Sequence, residues 1–210
     1  MRRLFAYVDG FNLYHGMRDS QWKRFYWLNL RHLAEWFLPA DAELLTLKYF
    51  TAMVVPPAGD QDKLKRQERY IDALRTLPNT EIVLGYYMPI TRKCPLCHRK
   101  YSDFAEKSTD VSIAIQMLSD AHKGNYDDLM LISGDGDLKD ALVVIHRDFP
   151  DKSIVVIFPP NRSCKEFKRL EAKGTCKCLN VTQTELRSSQ FPDPVLGIHG
   201  YPLKRPTLWV

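Results

Sequence analysis

Short apolar runs alternate with amphipathic segments along most of the chain. Residues 4–8 are apolar and rich in β-formers and stop at Asp9-Gly10, which predicts a buried strand that ends in a polar loop. The same pattern predicts strands at residues 44–55, 80–87, 129–132, 153–158 and 178–181. Apolar residues at helical spacing predict helices at residues 12–19, 28–38, 60–77, 111–118, 138–146 and 164–173.

This alternation favours an α/β fold with a doubly wound, mostly parallel sheet and helices on both faces. A chain of 210 residues can bury one substantial core. We expect one domain over residues 1–160 and a basic α/β extension over 161–187 that completes it. From residue 188 to 210 repeated prolines predict an extended tail. That tail either packs on the domain or is available to a partner, which would be another protein or a second copy of the chain.

Acidic residues follow two of the predicted strands. Asp9 ends the first strand, and Asp135 and Asp137 follow the strand at residues 129–132. Asp110 lies in the first turn of a predicted helix. Because ligand sites in open parallel sheets lie beyond the carboxyl ends of the strands, these four aspartates are expected around one hollow.

Crowded carboxylates repel each other unless a cation neutralises them, and hard cations such as Mg²⁺ or Mn²⁺ prefer oxygen ligands. In phosphodiester hydrolysis such a metal activates water and stabilises the departing oxygen. Asn12 is expected to fix a ligand or the attacking water, Ser133 to hydrogen-bond an aspartate or a phosphate, and Lys107 to meet the scissile phosphate. The alternative is structural: Asp and Gly dominate turns, and Asp110 or Asp137 would suit a helix N-terminus.

Three segments resemble the signature blocks of NYN domains, the LabA-like branch of the PIN-like nuclease superfamily. They read Tyr7-Val-Asp-Gly-Phe-Asn-Leu-Tyr, Glu106-Lys-Ser-Thr-Asp-Val-Ser-Ile-Ala and Leu131-Ile-Ser-Gly-Asp-Gly-Asp-Leu. The order and separations match over about residues 3 to 160. One departure is Ser108-Thr109, where many relatives have a glycine and a hydrophobic residue.

The resemblance implies a PIN-like, Rossmann-like sheet in the order 3-2-1-4-5 and endoribonuclease activity. It also implies a divalent metal, Mg²⁺ or Mn²⁺, on the matched positions Asp9, Asp110, Asp135 and Asp137, with Asn12 alongside.

Two other enzyme classes are excluded. A dehalogenase-type phosphatase needs a second aspartate where Phe11 stands, and the glycine patterns of nucleotide-binding folds are missing.

Charge and cysteine usage add two further expectations. The net charge of +5 is modest, but basic residues cluster, and Arg162, Lys165, Lys168 and Arg169 are expected either to guide RNA or to form a solvated face. Five cysteines in two groups fit a reducing compartment. With no membrane-length apolar stretch and no signal-peptide pattern, a cytoplasmic location is expected.

Cys94 and Cys97 resemble half of a zinc knuckle. A structural Zn²⁺ would need further ligands from Cys164, Cys176, Cys178 or His98; the alternative is a pair of reduced thiols. The aromatic residues Trp22, Phe25, Tyr26 and Trp27 are expected in the core or in a lid rather than as base-stacking platforms.

Two hypotheses follow for the whole chain. The first is a metal-dependent ribonuclease that acts on RNA. The second is a non-catalytic RNA-binding or regulatory module that keeps the same fold. The complete set of four aspartates favours the first.

Overall fold

The computed structural model describes residues 1–56, 59–93 and 95–210, with the side chains of all of these except Pro89 and residues 101–107. Its centre is a seven-stranded sheet in the order β4-β3-β2-β1-β5-β6-β7. The strands are β1 (Arg2–Asp9), β2 (Ala42–Ala52), β3 (Thr80–Lys93), β4 (Lys100–Lys107), β5 (Asp128–Ile132), β6 (Ser153–Phe158) and β7 (Lys177–Asn180). All neighbours pair in parallel except β3 and β4, which form an antiparallel hairpin.

This topology confirms the predicted fold class. When the antiparallel strand β4 is set aside, β5 and β6 are the fourth and fifth parallel strands, so the expected order 3-2-1-4-5 is present and β7 extends it. The helices are α1 (Gly10–Asp19), α2 (Leu30–Glu35), α3 (Lys63–Arg75), α4 (Thr109–His122), α5 (Lys139–Asp148), α6 (Lys165–Ala172) and α7 (Gln183–Ser188).

Alternating side chains of β1 divide the core into two layers. Leu4, Ala6 and Val8 pack into one cluster with residues of α1, α2, α3 and α7. Phe5 and Tyr7 face the other cluster, which contains residues of α4, α5 and α6. The helices therefore cover both faces of the sheet, as doubly wound folds require.

The structure differs from the sequence prediction in several elements. The helix predicted at residues 28–38 covers only Leu30–Glu35, and β3 continues beyond residue 87 to Lys93. Strand β4 and helix α7 were not predicted. Helix α7 begins with a capping box in which Thr182 and Glu185 satisfy each other's backbone N–H groups, a local signal that the apolar pattern does not contain.

The C-terminal residues pack on the α1–α3 face. Phe191 and Val195 are buried in the core cluster, and the Trp27 indole N–H donates to the Pro192 carbonyl oxygen at 3.1 Å. This segment contains a two-strand ribbon of β8 (Val195–Leu196) and β9 (Pro202–Leu203) and ends in a 3₁₀ turn at Thr207–Trp209. Trp209 packs edge-on against Tyr26.

The aromatic residues near position 25 lie in the core, as expected. Phe25, Tyr26 and Trp27 are buried, and Trp22 packs against the same cluster. Among the described residues, no helix has the length and apolar character needed to cross a bilayer.

Candidate metal centre

Three of the four predicted aspartates come together at the carboxyl edge of the sheet. Asp9 is the last residue of β1, Asp135 follows β5, and Asp110 lies in the first turn of α4. Each offers one carboxylate oxygen, and these three atoms lie within 4.8 Å of one another. Strands β1 and β5 are parallel neighbours, so their ends place Asp9 and the Asp135 loop side by side.

Asp9 is held in place by two hydrogen bonds. It caps α1 by accepting the Asn12 backbone N–H at 3.0 Å, and its other oxygen accepts the Ser133 hydroxyl at 2.8 Å. Both Asp9 and Ser133 are buried. Ser133 therefore contacts an aspartate, one of the two roles expected for it.

Asn12 links the same two loops. Its side-chain oxygen accepts the Gly134 backbone N–H at 2.8 Å, so the amide ties the start of α1 to the loop that carries Asp135. The Asp135 N–H in turn donates to the Ser133 hydroxyl at 3.0 Å. These bonds fix the relative positions of the Asp9 and Asp135 backbones.

Asp137 differs from the other three aspartates. It is exposed, and its carboxylate is not part of the group within 4.8 Å. Its backbone N–H donates to an Asp135 carboxylate oxygen at 3.0 Å, so Asp135 also caps the 3₁₀ turn Gly136–Leu138. Asp135 is therefore both the cap of this turn and a member of the carboxylate group.

A buried charge network fixes helix α4, which carries Asp110. The Asp120 carboxylate accepts the Lys48 ammonium at 2.8 Å and the Tyr7 hydroxyl at 2.7 Å, so α4 is bound to β2 and β1. Burial alone would raise the pKa of Asp120, but hydrogen bonds from Lys48, Tyr7 and Asn125 outweigh it and lower that pKa below its ordinary value. Burial raises the pKa of Tyr7, which keeps its hydroxyl a donor.

Ser108 precedes α4 with a φ of 74°, in the left-handed region. This conformation favours glycine, which gives a physical reason for the glycine that many relatives of the resembled family have there. The side chain of the neighbouring Lys107 lies outside the described residues, so its contact with a phosphate stays a prediction.

A family model named NYN domain matches residues 3–172. The chain belongs to the NYN domain family. The match contains Asp9, Asp110 and Asp135 and extends through α6. The assignment to the LabA-like branch stays a prediction.

Two similar proteins add information of different kinds. A protein of Pseudomonas putida named 6-hydroxy-3-succinoylpyridine 3-monooxygenase is 29% identical and aligns with 97% of this chain and 74% of its own length. A crystal structure of a protein of unknown function from Vibrio parahaemolyticus superposes with a TM-score of 0.55 at 20% identity, covering 87% of this chain and 94% of that one. The second likeness shows a shared fold only.

Gly10 allows helix α1 of this NYN domain to start directly over β2. A Cβ atom at Gly10 would lie 2.6 Å from the Phe50 carbonyl oxygen and 2.7 Å from the Tyr49 ring. We expect Gly10→Ala to lower the free energy of unfolding by about 1–3 kcal/mol in urea denaturation, because the backbone that carries Asp9 must shift. Gly59→Ala is the matched control, since an added Cβ there meets nothing within 4 Å. Equal urea midpoints for the two variants would contradict the close packing of Gly10 against β2.

Part of the basic cluster lies beside the carboxylates. A Cβ atom on Gly134 would lie 2.9 Å from the Arg162 Cβ, so Arg162 packs on the loop that leads to Asp135. Its guanidinium pairs with Asp19 at 2.5 Å, and its Nε is buried with no hydrogen-bond partner among the described residues. Helix α6 carries the exposed residues Lys165, Lys168 and Arg169.

The cysteines that the structure describes lie toward opposite edges of the sheet. Cys97 is exposed in the β3–β4 turn, whereas Cys164, Cys176 and Cys178 are buried. Five strand intervals of about 4.8 Å each separate β3 from β7, which carries Cys178. We therefore do not expect Cys176 or Cys178 to reach a zinc site at the hairpin, and this stays a prediction because no contact in the structure tests it. Cys94 lies outside the described residues, so zinc at Cys94 and Cys97 stays a prediction.

A cavity of about 400 Å³ adjoins the start of α1. It is lined by residues from α1, β2, α3, the 3₁₀ turn at Lys23–Phe25 and the C-terminal turn. The first signature block supplies one wall of this cavity, but the rest of its lining comes from separate segments as far as Trp209, so the sequence does not reveal it as a cavity. Only their aromatic content is visible in the sequence.

Proposed function

We propose that this NYN domain is a divalent-metal-dependent ribonuclease, acting as an endoribonuclease on RNA phosphodiester bonds. The observation that carries the proposal is the group of three carboxylate oxygens, from Asp9, Asp110 and Asp135, within 4.8 Å of one another. It lies at the carboxyl edge of the sheet, where ligand sites of such folds are built.

The donor set suits a hard divalent cation. Three carboxylate oxygens at this spacing match the all-oxygen preference of Mg²⁺ and Mn²⁺, and no sulfur or imidazole belongs to the group. When bound, the cation would supply positive charge that acidifies water and stabilises charge on the phosphate. Asp137, which is exposed beside Asp135, would act at the margin of this site rather than in its centre.

The neighbouring polar side chains would orient the carboxylates and the substrate. Ser133 fixes one Asp9 oxygen, and Asn12 fixes the loop that carries Asp135. Arg162 and Lys107 would supply positive charge for the phosphate backbone of the RNA, and the exposed cations of α6 would extend that surface.

The role of the cations on α6 can be tested through salt dependence. We expect the triple variant Lys165→Gln, Lys168→Gln, Arg169→Gln to weaken RNA binding to a similar extent across sequences. The plot of log K against log salt should become shallower, its slope decreasing in magnitude by about two to three, since each phosphate contact releases counterions. The measurement is RNA affinity between low and moderate salt.

A double variant at the opposite edge of the sheet is the matched control. Lys123 and Arg147 lie at the C-terminal ends of α4 and α5, and both are exposed. Replacing them with glutamine should leave the slope unchanged. Equal slopes in both variants would assign the α6 cations to a solvated face.

Cleavage of matched RNA and DNA strands, with Mn²⁺ and with chelator, tests the activity itself. We expect internal cuts in RNA that need the metal. Metal-independent cleavage, or none with any strand, would contradict the nuclease proposal and favour a non-catalytic RNA-binding module.

A second candidate function comes from the relative named for 6-hydroxy-3-succinoylpyridine, which aligns with 97% of this chain. The same fold would then act on a hydroxylated pyridine acid. The aromatic cavity beside α1 favours this candidate, since a single ring fits its volume. Turnover of that pyridine by the purified protein with dioxygen and a two-electron donor, measured next to RNA cleavage, distinguishes the two candidates.

A further inference from the structure

We propose that the cavity beside the first turn of α1 binds a planar nitrogen heteroaromatic ring that carries an anionic arm. Two sources share this chemistry: a nucleotide of an RNA strand and a free heteroaromatic acid. The proposal adds a binding subsite to either candidate function. Binding requires no turnover, so it can be tested separately from the proposed hydrolysis.

The walls of the cavity are aromatic. Phe11, Tyr14, Tyr26, Tyr49, Tyr70 and Trp209 all line it. Aromatic side chains bind flat rings by stacking and edge contacts, with little dependence on ring identity. A volume of about 400 Å³ lies near the lower end of the range for ligand pockets, so it suits one ring with a short arm.

Tyr26, one of the wall residues, has a buried hydroxyl group without a well-formed hydrogen bond. The Tyr26 side chain is buried, with 7% of the residue exposed, and its hydroxyl makes no well-formed hydrogen bond within the described part of the chain, although the Tyr14 hydroxyl lies close enough to interact with it. Buried hydroxyls in native proteins are almost always hydrogen-bonded, because desolvation without a partner costs free energy. A ring nitrogen or carbonyl oxygen of a bound heterocycle would satisfy it.

Cations at the cavity would hold the anionic arm. Lys23, Lys63 and Arg66 line it, and among the described lining residues the one carboxylate is that of Asp60, which pairs with Arg66. Neither Lys23 nor Lys63 has an ion-pair partner among the described side chains. Burial, together with Arg18 and Arg162, lowers the pKa of His15, another lining residue, so His15 adds no charge at neutral pH.

The cavity adjoins the candidate metal centre. Gly10 and Phe11 line it and directly follow Asp9 in the chain. Burial raises the pKa of the lining residue Tyr49 to about 12, and the Asp9 charge contributes to this rise. A nucleotide seated in the cavity would therefore lie next to the segment that carries Asp9.

Calorimetric titration in chelator tests the site without any metal-dependent step. The probes are uridine 5′-monophosphate and 6-hydroxynicotinate, each with a ring and an anion. Uridine and ribose 5-phosphate each lack one of the two features. We expect at least one of the complete probes to bind at least about tenfold more tightly than either partial probe.

Two variants assign the binding to this cavity. Tyr26→Phe removes only the hydroxyl and should raise Kd about threefold to tenfold, while the melting temperature of the free protein changes little, because that hydroxyl makes no well-formed hydrogen bond. Lys63→Gln should raise Kd about tenfold or more. Lys65→Gln is the matched control on the same helix, because Lys65 pairs with Asp62 and does not line the cavity.

The two complete probes distinguish the sources. Tighter binding of uridine 5′-monophosphate supports a nucleotide of RNA as the ligand, and tighter binding of 6-hydroxynicotinate supports a free acid. The proposal is overturned if neither probe binds at millimolar concentration, or if Kd is unchanged in Tyr26→Phe or Lys63→Gln. Loss of RNA cleavage alone would leave it standing.

Discussion

Replacing Asp9, Asp110 or Asp135 by asparagine is expected to keep the fold and to reduce metal-dependent RNA cleavage by at least about a hundredfold. Each substitution removes one of the three charges that lie within 4.8 Å while nearly keeping the side-chain shape. Relief of carboxylate repulsion offsets part of the hydrogen bonding lost by Asp9, so the melting temperature should change little. Cleavage, Mn²⁺ affinity and thermal unfolding are measured on the same preparations.

The structure also predicts a ranking among the variants. Asp137→Asn should cost less activity than the other three, because its carboxylate is outside the group. Asn12→Ala should lower the rate of RNA cleavage about tenfold. The Asn12 side-chain oxygen accepts the Gly134 N–H and so positions the loop that carries Asp135.

Asp140→Asn is the control, since Asp140 is exposed on the neighbouring helix α5. The structural interpretation of the aspartates predicts the opposite pattern, a loss of about 0.5–2 kcal/mol in stability without a loss of activity in the folded fraction. Full activity of Asp9→Asn and Asp135→Asn would contradict the metal-dependent mechanism and favour the non-catalytic alternative.

The sequence predicted the carboxylate cluster because chain direction and sheet geometry determine where strands end. Asp9 and Asp135 follow strands that are parallel neighbours, so their proximity requires only that both strands be recognised. The placement of Asp137 could not be predicted in the same way. It depends on the 3₁₀ turn after Asp135, where a backbone hydrogen bond rather than residue type determines which carboxylate faces the hollow.

The sequence prediction ends strand β3 at residue 87, before the cysteine pair, and therefore misses the β3–β4 hairpin. Beyond Gly85, however, β3 pairs only with β4. A proline is tolerated in a strand where one side has no neighbour, so the strand continues through it.

The aromatic cavity could not be predicted from the sequence for a different reason. Tyr14, Tyr49 and Tyr70 belong to α1, β2 and α3, and only the tertiary packing brings them together.

The buried pair of Lys48 and Asp120 could not be predicted from the sequence either, and it provides the largest expected stability effect. Asp120→Ala should lower the free energy of unfolding by about 3–5 kcal/mol, because the buried Lys48 ammonium loses its 2.8 Å partner and keeps only the exposed Glu81 carboxylate at 3.6 Å. Since Asp120 fixes the helix that carries Asp110, cleavage should fall as well. Chemical denaturation at neutral pH measures the effect.

Asp72→Ala is the matched control for Asp120→Ala. Asp72 also lies in a helix and pairs with a cation, Arg75, but both side chains are about half exposed, so its loss should cost about 0–1 kcal/mol. The double variant Lys48→Met, Asp120→Asn should recover part of the stability, because neither buried charge remains.

The pH dependence of the same network gives an independent check. The folded pKa of Asp120 is lowered, so its contribution to stability is fully present above the unfolded value of about 4 and is lost as the pH falls through the folded value. The difference in unfolding free energy between wild type and Asp120→Asn should therefore shrink below about pH 4. A difference that stays constant with pH, or a cost of Asp120→Ala no larger than that of Asp72→Ala, would show that the ion pair does not hold α4 against the sheet.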